Sequence, residues 1–379
     1  MVSACLLRLS VGILLVLPSA GCRTTASSAP EPAVAATSIP EPAVTLQFDY
    51  AGAEAMLDAL EADSLSDADI DRMLAVAGVR AVLDNVTRFI PDIGITEFRA
   101  AMKAFAPERT SSPDNRAFQI AETWERRARI RALLGALRAD EDEMMRRTLA
   151  VLEPYKPNTG SLAIQVYFVA GGVSDGFVFD DRPEPALYAN LTRAIGDLDG
   201  ALVNMTHEAY HVMQKAAQRR APGLATVADD LEGVPPVERF FAVTLLEGTA
   251  SYVVDPRAFP GSGENIEATR ERYHRNLEPQ RIAENFALFD AILADLQDAR
   301  ITWDEAYERG FAGHNDARMY FVGYELTKAM VLHCGAECLR RSFERPPIEF
   351  FRQYVALAQE HAELRRFAPQ SERLILGAT

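Results

Sequence analysis

The chain has 379 residues, a formal net charge of −15 and 48% hydrophobic residues. The acidic balance argues against a nucleic-acid binder, which needs a basic footprint, and the apolar content is ample for a packed core. The length allows one large or two smaller domains.

In chain order, residues 1–22 have the pattern of a bacterial export signal: Arg8, the apolar run Val11 to Leu17, then Ser19-Ala20-Gly21-Cys22. The run is too short to span a bilayer. Small residues ending in cysteine resemble a lipoprotein signal, which implies lipidation of Cys22 and a membrane anchor in the bacterial cell envelope, facing the periplasm or exterior. Residues 23–46, with Glu-Pro-Ala-Val repeated at 31–34 and 41–44, cannot bury a core and are expected to form a flexible tether. Residues 47–157 form an expected helical N-terminal region. Ser66-Asp67-Ala68-Asp69 opens one helix, and a long one is predicted from Ala117 to Leu152, closed by Pro154 and Pro157.

The pattern then changes. Leu162 to Val169, Phe177-Val178-Phe179 and Ala186 to Leu191 are strand candidates. From 236 to about 366 the chain is again mainly helical. The predicted class is α+β, mainly α with a small sheet, and 158–379 is the expected catalytic domain.

Between the strands and that helical stretch lies His207-Glu208-Ala209-Tyr210-His211. Two histidines four apart share one helix face, close enough to chelate one ion. The glutamate between them suits a general base acting on water. Leu198, Leu202, Val203, Met205, Tyr210, Val212 and Met213 make the segment apolar around most of its circumference, which predicts a buried helix. The plainer alternative is a surface helix with two solvated histidines. A catalytic zinc takes three protein ligands, and Glu247 is the candidate third. It is the one acid in the middle of an apolar helix that starts near Pro235-Pro236 and stops at Asp255-Pro256. Its alternative role is a buried acid paired with an arginine such as Arg239. Glu284 and Glu278 are weaker ligand candidates. Ala250 and Ser251 are small enough for a close helix approach on that face.

His207-Glu208-x-x-His211 followed by Glu247-Gly248-Thr249-Ala250 resembles the gluzincin branch of the zincin metallopeptidases, and a loosely described bacterial group of zinc-dependent peptidases with an E-G-x-A second motif. The resemblance implies a zincin-like fold, Zn²⁺ held by His207, His211 and Glu247, and Glu208 as general base. It further implies a peptide or protein substrate laid along an edge strand, and a later Tyr or His donating to the oxyanion. Tyr320, Tyr324 and His314 are the candidates, with core packing the alternative for the tyrosines. The chain departs from the pattern at Ala209, and at Ser251, where several gluzincins place an acid that orients the histidines. A non-peptide zinc hydrolase is a further reading. So is an exported lipoprotein with a binding or assembly role on a catalytically silent scaffold.

Of the 4 cysteines, Cys5 would leave with the signal and Cys22 carry the lipid, which leaves Cys334 and Cys338; an oxidising compartment favours a local disulfide between them, with two free buried thiols or a metal shared with His333 as the alternatives. His274, His333 and His361 carry no motif and are read as structural or surface residues.

Overall fold

The computed structural model describes residues 43–109, 116–179, 181–221, 223–224 and 233–377. It is mainly helical with one four-stranded sheet, an α+β architecture. The expected export signal and most of the tether lie outside the described residues. Among the described residues no helix is long and apolar enough to cross a membrane.

The sheet order is β1-β2-β4-β3, with β1 Val44–Asp49, β2 Leu162–Val169, β3 Gly176–Phe177 and β4 Ala186–Asn190. β1, β2 and β4 are parallel, and β3 runs antiparallel along the outer side of β4. The tether was expected to reach residue 46 and a helix to follow. Instead Val44-Thr45-Leu46-Gln47-Phe48-Asp49 is a strand, with Val44 and Leu46 buried and Thr45 and Gln47 exposed. Alternation at period 2 is the strand signature, here hidden at the end of an Ala/Pro-rich stretch. Val44 pairs with Leu162 and Asp49 with Tyr167. The helical N-terminal region and the segment after residue 158 therefore share one sheet, and Pro42–Thr379 is a single unit.

The helix start at Ser66 has a capping box, with Ser66 and Asp69 each satisfying the other's backbone N–H. The long helix expected over 117–152 is two, Ile120–Ala139 and Glu141–Leu152, broken at Asp140. Glu141, Asp142 and Glu143 fill the first turn of the second, where negative charge meets the positive end of the helix dipole.

Two helices matter most for the site. The motif helix, Leu198–Arg220, is capped by Asp197, whose carboxylate accepts from the Gly200 N–H. The glutamate helix, Pro236–Val253, starts on proline, which lacks only an N–H the first turn would leave unpaired. A third helix, Arg318–Cys334, crosses the glutamate helix with glycine against glycine. A Cβ placed on Gly248 would lie 2.2 Å from the Gly323 Cα, so the approach is backbone to backbone. Ala250 and Ser251, on the same helix, are fully buried. Cys334 and Cys338 are disulfide-bonded, with Cα atoms 5.8 Å apart.

Candidate metal centre

The motif helix is buried along most of its length, including Glu208 and His211, so the solvated-helix alternative does not hold. The glutamate helix packs beside it and brings Glu247 to the histidine pair. His207 Nε2 and His211 Nε2 are 3.1 Å apart, and each lies 3.3 Å from Glu247 Oε2. The donors thus form a nearly equilateral triangle. A tetrahedral shell with bonds near 2.0–2.1 Å has edges of about 3.3 Å, so the triangle is one face of such a shell and the fourth corner is left for water or substrate. The donor set fits zinc by geometry and by chemistry.

The electrostatics tie the three side chains together. Burial would raise Glu247, but the His211 and His207 imidazoles hold it well below the usual carboxylate range. Burial would lower His211, but the Glu247 carboxylate raises it to about 9. A carboxylate therefore faces two imidazoles in a partly buried pocket, and His211 gives up its added proton before Nε2 can hold a metal.

The orientation of His211, unexplained by Ser251, comes from Gln214, one turn further along the motif helix. His211 Nδ1 lies 2.7 Å from Gln214 Oε1. The Gln214 amide nitrogen donates to the Leu246 carbonyl at 3.0 Å and to Thr249 Oγ1 at 2.7 Å, and Thr249 gives its own proton to the Leu245 carbonyl. With its nitrogen so committed, Gln214 presents oxygen to the imidazole. Nδ1 must carry the proton, and in the neutral ring Nε2 turns its lone pair to the cluster. A buried glutamine three residues after the second histidine was the available signal. Partners of this kind typically contribute 10–100-fold in metal affinity. Gln214→Leu is expected to weaken zinc by that order in a chelator competition, with the helix content unchanged. Unaltered zinc affinity would remove Gln214 from the site.

Glu208 is buried beside the triangle without belonging to it. Burial raises its carboxyl above the usual range, against the pull of His211 and His207. β3 lies directly over it. A Cβ on Gly176 would be 2.7 Å from Glu208 Cγ and 2.4 Å from Asn204 Oδ1, and Asn204 donates to the Asp175 carbonyl. Glycine is what lets the edge strand approach this face of the motif helix.

The remaining candidates separate. Tyr320 is half-buried, and its hydroxyl is pushed well above its ordinary value by burial, then by the Glu247 charge. Tyr307, which sequence reasoning missed, is also raised by burial and by Glu247; Phe311 packs between the two rings at 5.8 and 6.5 Å. Tyr324 turns away, donating to Asp255 at 2.9 Å and accepting from Arg257 at 2.8 Å. His314 is two-thirds exposed and engages Glu308, not the cluster. Glu284 pairs with Arg281, Glu278 precedes a helix as its cap residue, and Arg239 lies over the Trp303 ring.

No curated protein and no solved structure matches the chain. A family model matches residues 70–363, a span that includes both histidines, Glu208 and Glu247. By that match, which covers most of its length, the chain belongs to the family described as "putative zinc dependent peptidase (DUF5700)".

Proposed function

We propose that this protein is a zinc peptidase of the gluzincin type, with His207, His211 and Glu247 as ligands and Glu208 as general base. The observation that carries the reading is the triangle of donor atoms with edges of 3.1, 3.3 and 3.3 Å, flanked by a buried acid that is not one of its corners. A bound zinc ion would polarise the scissile carbonyl and acidify the attacking water.

The protein's own groups supply the rest. Glu208 accepts the proton as water oxygen bonds to the carbonyl carbon, and delivers it to the amine nitrogen as the C–N bond breaks. β3 ends the sheet, so an extended peptide added to its open edge by strand pairing would run past Glu208. Tyr320 keeps its phenolic proton and serves as donor to the developing oxyanion, with Tyr307 as the neighbouring candidate. Export, and anchoring through a lipid on Cys22, complete the proposal and rest on the N-terminal sequence.

The test is zinc content by mass spectrometry with peptide turnover in parallel. His211→Ala and Glu247→Ala should each lose one zinc equivalent relative to wild type, and all turnover. Wild-type zinc content and turnover in both variants would overturn the ligand assignment.

A further inference from the structure

A second group of metal-ligating side chains lies outside this centre. His333 is the penultimate residue of the third helix, just before Cys334. His361 caps the helix Pro347–Glu360, and Glu363 follows it. The imidazoles of His333 and His361 face each other with centroids 3.8 Å apart and planes inclined by 35°. Glu363 Oε1 lies 3.4 Å from His361 Nδ1 and 3.8 Å from His333 Nε2. All three donor atoms fall within 4.8 Å of one another.

His333 Nε2 is the telling atom. It is buried and has no hydrogen-bond partner among the described residues. A buried polar atom left unmatched costs about 1–3 kcal/mol, and such an atom calls for an explanation, an ion among them. This one belongs to a residue type that binds transition metals, and it faces a second imidazole and a carboxylate.

We propose that His333, His361 and Glu363 form a second site for a borderline-soft divalent cation of the zinc class. The donor set is two imidazoles and one carboxylate, which suits such ions over calcium or magnesium. The present separations exceed the roughly 3.3 Å edge of a tetrahedral zinc shell. Glu363 is 66% exposed and can close on an ion without disturbing the core. The His333 side has a firmer frame. The adjacent disulfide joins the end of the third helix to the next helix, and Gln353 Nε2 lies 3.4 Å from both sulfurs. The ion would clip the segment after Glu360 to the end of the third helix, a structural role independent of the peptidase reading.

Zinc alone is the probe, titrated into the purified protein from a chelator-buffered series. Wild type should bind two zinc ions per chain and His333→Ala/His361→Ala one less. His207→Ala/His211→Ala should keep one zinc, which disappears on adding the second pair of substitutions. With cobalt(II) as spectroscopic substitute, Glu363→Gln should alter the absorption of the second ion only. If His207→Ala/His211→Ala does not fold, the comparison of wild type with His333→Ala/His361→Ala still decides. A stoichiometry unchanged in His333→Ala/His361→Ala overturns the proposal. One zinc in wild type, lost with His333 and His361, would support this site and overturn the catalytic one.

Discussion

Glu208→Gln should retain zinc at the His207–His211–Glu247 cluster and lose turnover by about 10²–10⁴-fold, the usual contribution of a general base. The two effects separate because Glu208 is not a corner of the donor triangle, whereas it is the buried acid beside it. The amide has the same shape, so the close passage of Gly176 over this side chain is preserved. What changes is the capacity to take a proton. Zinc content and kcat measured on the same preparation check this. A Glu208→Gln enzyme with wild-type turnover would end the peptidase mechanism as proposed. Loss of zinc along with turnover would make Glu208 part of the metal's own support.

The second large effect concerns the helix crossing behind Glu247. A Cβ on Gly248 meets the Gly323 Cα at 2.2 Å, and one on Gly323 meets the Thr244 carbonyl oxygen at 2.3 Å. Backbone atoms cannot rotate aside as a side chain does, so Gly248→Ala must separate the two helices. Overpacking of this kind costs up to about 3 kcal/mol, read as a lower denaturation midpoint. Glu247 is the neighbouring residue and shifts with the helix, so zinc affinity should fall as well. Gly313→Ala is the control, since nothing lies within 4 Å of its added Cβ; a change within about 0.5 kcal/mol is expected there. Gly248→Ala with wild-type stability would mean the crossing is looser than described.

The parts of this structure legible in the sequence are those with local signatures. The helix start at Ser66, strand β2 and the apolar helix around His207 and His211 each carry their own pattern. Glu247 was readable as the one acid in the middle of an apolar helix. What escaped depends on residues distant in the chain. β1 carries the alternation of a strand, but it sits at the end of an Ala/Pro-rich stretch and its partner, Leu162–Tyr167, is far along the chain. Tyr307 matters only because its helix returns next to Glu247. His333 and His361 have no spacing motif, since two different helix ends bring them together. Gln214 is the intermediate case: its position after His211 was visible, but its role required knowing that Leu246 and Thr249 occupy its amide nitrogen.

The pairing of β1 with β2 also sets an order of events during folding. The Gln165 side chain that bonds to the Gln47 carbonyl stands 118 residues further along the chain. A chain folding from its N-terminus holds Val44, Leu46 and Phe48 without a strand partner until Leu162–Val169 has emerged. Parallel pairing over such a distance is slow, and an unpaired apolar strand is open to wrong partners meanwhile. Glu247 emerges later still. Metal capture at the triangle would then follow closure of the sheet, and zinc would act on a frame already assembled, not as the nucleus that starts it.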